Sequence, residues 1–136
     1  MKLLLTYANS VSYTPRVKNL ETAPDVSEGA EYQDIIVAFI HIEEKDTEDF
    51  KSSENKLVKN LKWIARKNDT KKILLHSFAH LSESKAPADF TKQLLDKVHQ
   101  RLQNAGYEVY QSPFGYFLDF KIDWPGRSLA RVFKSL

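Results

Sequence analysis

The apolar positions fall into three dense runs and two periodic stretches, and these predict the elements. Lys2 to Tyr7 carries an almost unbroken apolar run, the pattern of a strand covered on both faces and so central in its sheet. Val11-Ser12-Tyr13-Thr14 alternates and stops at Pro15, which predicts a short second strand or edge hairpin. Lys18 to Glu31 holds Pro24, Gly29 and several acids without a period and reads as a loop. Asp34 to Ile42 is a second buried strand, followed at once by the charged run Glu43 to Asp49. From Ser53 to Lys67 the apolar residues Leu57, Val58, Leu61, Ile64 and Ala65 share one helical face, with Ser52 or Ser53 as the N-cap.

Ile73-Leu74-Leu75 predicts a third central strand that runs into His76-Ser77-Phe78-Ala79-His80-Leu81-Ser82. A second helix begins with Pro87 at its first position and buries Phe90, Leu94, Leu95, Val98, Leu102 and Ala105 before stopping at Gly106. Tyr107 to Tyr110 and Tyr116 to Ile122 read as strands, Trp124-Pro125-Gly126 as a turn, and Ser128 to Lys134 as either a strand or a final helix, the strand being favoured. With no repeat and no linker, residues 1–136 are expected to form a single α/β domain, a mixed β-sheet packed with two main helices.

Composition narrows the function only slightly. A net charge of +2, from 20 basic and 18 acidic residues, is too small to announce a nucleic-acid binder by itself. The first helix does place Lys56, Lys59, Lys62 and Arg66 on its outer face, as either a stripe for RNA phosphates or an ordinary solvated face. There is no cysteine, which agrees with a reducing interior. The apolar start Met1 to Leu5 stops at Thr6 and no run reaches membrane-spanning length, so a soluble, cytoplasmic protein without a membrane partner is expected.

Val37-Ala38-Phe39-Ile40, Phe78-Ala79-His80-Leu81-Ser82, Pro113-Phe114-Gly115-Tyr116 and Phe120-Lys121-Ile122, in this order and at these separations, resemble the amino-terminal editing domain of archaeal threonyl-tRNA synthetases. The resemblance runs over nearly the whole chain. It implies a D-aminoacyl-tRNA deacylase-like fold and hydrolysis of mischarged aminoacyl-tRNA, such as serine esterified to threonine tRNA. It also implies a pocket for the aminoacyl group and terminal adenosine between the two motif segments. His80 then matches the family histidine and is the candidate catalytic residue, and Ile42 falls at an apolar pocket wall. Phe78, Ala79, Phe114, Gly115, Tyr116 and Phe117 complete the candidate substrate-binding set. Several polar family positions are changed: Phe117 and Leu118 stand for a tyrosine and a catalytically important lysine, Arg131 for a glutamate, Trp124 for a cysteine, Arg127 for a histidine, and Tyr7 and Asn9 for a histidine and an aspartate.

Each candidate also has a plainer reading. His80 would be either catalytic or a buried, hydrogen-bonded structural histidine. Phe114, Tyr116 and Phe117 would stack on adenine or pack in the core. Ser82 would cap the following segment or donate to a ligand. Asp119 and Lys121 share a strand face and read as a surface pair. A metal site of His41, His76 and His80 is disfavoured by strand parity, and neither metal nor cofactor is expected. Two functions follow: a freestanding deacylase, or a catalytically degenerate module of the same fold that binds tRNA or protein. A homodimer or a threonyl-tRNA synthetase would be its protein partner.

Overall fold

The computed structural model describes residues 1–136. Its backbone is organised by one strand, β1 (Lys2–Lys18), which is central because different partners cover different stretches of it. Along one side it pairs antiparallel with β2 (Ala30–His41), from Lys2 against His41 to Tyr13 against Ala30. Along the other side β6 (Arg131–Ser135) takes its first half and β5 (Tyr116–Asp123) its second. Beyond β2 the sheet continues in parallel through β3 (Lys72–Ser77) to β4 (Glu108–Gln111). Two helices, α1 (Phe50–Lys67) and α2 (Ala88–Asn104), supply the crossovers and lie on one face.

The sequence places a break at Pro15, and the strand runs through it. Pairing with β2 ends at Tyr13, so the missing N–H of Pro15 falls beyond that ladder, while a register shift between Pro15 and Lys18 fits the residue to β5. The expected hairpin over Val11–Thr14 is therefore the second half of the central strand. A second irregularity lies at Asn9 and Asp34, which are not paired and where Asp34 takes φ 53°. Before it Leu3, Leu5 and Tyr7 enter the core under the helices. After it Val11 and Tyr13 join Ile35, Val37, Phe39 and Leu74 on the opposite face. That opposite face is covered by half-buried aromatics, Tyr32, Tyr110 and Phe120 among them, rather than by a helix.

The helix starts also differ from expectation. Asp49 is the N-cap of α1, its carboxylate accepting from Ser52 N at 3.0 Å, because the charged run after β2 forms a short 3-10 turn that delivers the chain three residues earlier than Ser52. Pro87 caps α2 from an extended conformation instead of occupying its first turn. Of the stretch Ser128–Lys134, the part from Arg131 on joins the strand β6 while Ser128 to Ala130 form a turn before it, and Asp119 pairs across to Arg16 at 2.6 Å rather than with Lys121.

At the strand ends nearest the motif segments, charge is buried with its complement. The Met1 ammonium, fully buried, contacts the carboxylates of Glu43 and Asp46 and donates to Leu136 O. Burial alone would raise the Glu43 pKa, but hydrogen bonds from Met1 and Ser82, with the charge of Lys2, outweigh it and hold the carboxyl at about 2. A carboxyl held below its unfolded value stabilises the fold above pH 4.5 and loses that stabilisation as pH falls toward 2. Acid titration of stability should therefore show wild type losing about 2–3 kcal/mol more than Glu43→Gln across that window.

Candidate functional site

The two motif segments emerge side by side from the ends of β3 and β4. The first is held along its length by the exit of β2. Phe78 N donates to Ile40 O at 2.9 Å and Ala86 N to Ile42 O at 3.0 Å. Between them His41 bridges the loop: its Nδ1 accepts from Leu81 N at 3.0 Å and its Nε2 donates to Ser84 O at 2.6 Å. That pair of contacts requires the neutral Nε2–H tautomer. Ser82 Oγ donates to Glu43 Oε2 at 2.7 Å, and Glu44 N donates to Ser84 Oγ at 3.0 Å. Ser82 Oγ also accepts from Ser84 N at 3.3 Å, so it caps the segment that follows while tying the motif loop to the buried charge cluster, and it is not a free ligand donor. With both ring nitrogens of His41 committed to backbone, it does not join His76 and His80 in a metal-binding set.

The second segment is anchored by Ser112 N, which donates to Leu75 O at 3.1 Å, and it turns at Gly115 with φ 84°. A Cβ there would lie 3.0 Å from both the Leu20 and Ala23 Cβ atoms, so conformation and space both call for glycine. Asn19 N donates to Gly115 O at 2.8 Å. The buried Tyr116 then latches the same loop, its hydroxyl donating to Pro24 O at 2.6 Å and accepting from Val26 N at 2.8 Å.

Between the segments lies a half-open cavity of about 430 Å³, bounded also by Ile42 at the β2 exit and by Ala88 and Thr91 of α2. All eight candidate residues line it: Ile42, Phe78, Ala79, His80, Phe114, Gly115, Tyr116 and Phe117. Their roles separate. Phe114 packs against the helix-side core and Tyr116 is spent on its loop latch, whereas Phe117, 52% exposed, is free to meet a flat ligand. Leu118, at the position matched to the family lysine, packs against the second apolar cluster. His80 is exposed, its ring edge-on to Phe78 at 4.9 Å and without a side-chain hydrogen bond. The amides of Ala79, His80, Phe114 and Gly115 likewise have no partner within the protein, so residues of both segments that line the cavity carry unpaired donors.

The cavity also contains a residue that the sequence offered only as a metal candidate. His76 sits among Phe39, Phe78 and Phe120, with ring centroids 5.6, 5.8 and 4.8 Å away, and its Nδ1 lies 2.7 Å from Ser112 Oγ. Burial in this aromatic setting, with the neighbouring His80 adding to it, pushes the imidazole down to about 4. Period-two alternation of Leu74, His76 and Phe78 beside the motif was the available signal for its shared face.

The other changed family positions are occupied elsewhere. Tyr7 donates to Asp34 Oδ1 at 2.6 Å under the Arg127 guanidinium, and Arg131 lies over Trp124 while donating to Pro125 O at 3.2 Å. Neither these residues nor Asn9 lines the cavity.

A family model described as the archaea-specific editing domain of threonyl-tRNA synthetase matches residues 1–136. Threonine–tRNA ligases of Thermococcus gammatolerans, Methanopyrus kandleri and Pyrococcus horikoshii are 30%, 29% and 28% identical over the whole chain. The chain spans 22% of the length of each of these relatives. Among solved structures, a c-Myc DNA unwinding element binding protein superposes with a TM-score of 0.68 at 12% identity, covering all of this chain and 99% of the other. At that identity the likeness concerns the fold. No helix is long and apolar enough to cross a membrane.

Two outcomes follow from the geometry. Gly115→Ala should destabilise the protein by about 1–2 kcal/mol from the left-handed conformation alone, more if Leu20 and Ala23 cannot yield, measured by denaturant unfolding. His76, held below its unfolded value, stabilises the fold above pH 6.5 and loses this as pH falls to about 4. Stability of His76→Phe should accordingly be flatter than wild type across that interval, by about 3 kcal/mol.

Proposed function

The chain belongs to the family of archaea-specific threonyl-tRNA synthetase editing domains, and from that membership we propose that it is a module hydrolysing mischarged aminoacyl-tRNA, with seryl-tRNA for threonine as the first substrate. One observation supports this most directly: the two motif segments surround a cavity with unpartnered amides and an exposed, unbonded imidazole. Ester hydrolysis needs an attacking water, donors for the developing oxyanion, and a path for one proton. His80 takes the proton as the water oxygen bonds to the ester carbonyl carbon. The amides of Ala79, His80, Phe114 and Gly115 are the donors available to the oxyanion. Collapse breaks the bond to the ribose oxygen, which receives the proton, and releases the free amino acid and an intact tRNA end.

Recognition of the RNA is apportioned in the same proposal. Phe117 offers an exposed ring to the terminal adenine. Lys56, Lys59, Arg66 and Lys67 on α1 are exposed and outside any ion pair, which suits phosphate contact. The sheet face that no helix covers, carrying Tyr32, Tyr110 and Phe120, suits packing against a second copy or a threonyl-tRNA synthetase. Leu118, which has no charge or donor to offer, favours a second reading in which the module binds such partners without turnover.

Deacylation of labelled aminoacyl-tRNAs, including seryl-tRNA for threonine and several D-aminoacyl species, separates the two. Wild type should release the amino acid, and His80→Ala should slow release about 10²–10⁴-fold, the usual contribution of a general acid–base. Release at background by wild type at high enzyme concentration would reject the deacylase and leave the binding module.

A further inference from the structure

The aminoacyl side of the cavity has mainly apolar walls in Ile42, Phe78, Leu118 and Phe120, yet a buried polar ring stands among them. His76 is 93% buried by its 7% exposure. Its Nδ1 is fixed by Ser112, which is itself buried and tethered to β3 through Leu75 O. Its Nε2 has no partner within the protein, and Asn68 Oδ1 is the single buried side-chain polar atom left unsatisfied and sealed. The free nitrogen therefore opens to the cavity that His76 lines. A ring locked by Ser112 and boxed by Phe39, Phe78 and Phe120 cannot turn away from that opening.

We propose that His76, positioned by Ser112, is a specificity-determining residue whose Nε2 reads a hydroxyl on the aminoacyl side chain, so that the cavity selects hydroxylated acyl groups over their apolar isosteres. A hydroxyl both donates and accepts, and so meets Nε2 in either tautomer of the ring. A methyl in the same place would leave the buried nitrogen without a partner, which is where a polar pocket gains its discrimination. The role rests on the deacylase reading for its ligand class. It would explain how a wall carrying Phe117 and Leu118 still accepts a serine. Thr91 of α2 is the other buried lining residue whose side-chain polar atom has no partner, and it is the rival for this role.

The test is binding, independent of turnover, using hydrolysis-resistant 3′-amide analogues of seryl- and alanyl-adenosine titrated into the full chain. Wild type should bind the seryl analogue about tenfold more tightly, one good hydrogen bond's worth, and His76→Phe should bring the two within about twofold. Ser112→Ala should erode the preference without abolishing it. In unsubstituted protein the His76 Nε2 nitrogen resonance should move with the seryl analogue and stay with the alanyl one, a readout that needs no variant to fold. Equal binding by wild type, a preference that survives His76→Phe, or one lost in Thr91→Val instead would overturn the assignment while leaving the deacylase reading intact. Absence of binding by either analogue would overturn both. A preserved preference in a protein that releases no amino acid would reject the deacylase and retain His76 as the reader.

Discussion

Everything at the site depends on the hydrogen-bonded seam between the exit of β2 and the loop that follows β3. Backbone contacts at Ile40 and Ile42 set the ends of this seam, and the side chains of His41 and Glu43 fill in between. A loop of this length would ordinarily lose several rotamers and dihedrals to order itself, at about 1–2 kcal/mol per residue of backbone entropy. Here the cost is offset by bonds to a strand already fixed by the sheet. The consequence is a motif segment whose own amides at Ala79 and His80 need not be used for folding and remain available to a ligand.

The same division between scaffold and free donors recurs across the cavity. Ser112 and Tyr116 anchor the second segment to β3 and to the loop around Pro24, and Gly115 makes the turn that no β-carbon would fit. Phe114 and Gly115 then present unbonded amides from a rigid turn. Electrostatics follow packing. The positive N-terminus and the carboxylates of Glu43 and Asp46 neutralise one another at the base of the seam, so the cavity above holds neutral His76 and solvent-facing His80 with no carboxylate lining it.

Much of the scaffold was legible because long-range burial leaves a local trace. The apolar runs at Leu3–Tyr7, Ile35–Ile42 and Ile73–Leu75 exist because both sheet faces are covered there, and the stripe Leu57–Ala65 exists because α1 lies on one of them. The errors came where a local signal was outvoted. Pro15 reads as a terminator, and only the change of partner from β2 to β5 makes it tolerable within β1. The reversal of alternation at Asn9 depends on the conformation of Asp34, 25 residues away. At the site, the motif residues were legible as neighbours in sequence. His41 and Glu43 were not, since their partners Leu81, Ser84 and Ser82 lie about 40 residues on and nothing local announces them. His76 was visible as a residue, and its metal reading was already disfavoured, but its place in the cavity was not legible because its anchor Ser112 belongs to the other segment.

The central claim is that the cavity between the two segments is where an aminoacylated RNA end sits. The most direct measurement is a crystal structure, or an intermolecular contact map by NMR, of the chain with a hydrolysis-resistant seryl-adenosine analogue. The account predicts the carbonyl oxygen within hydrogen-bond reach of amides in both Ala79–His80 and Phe114–Gly115, with the adenine against Phe117. An analogue found on the basic face of α1, or on the aromatic sheet face beside Tyr32 and Tyr110, with the cavity empty, would contradict it.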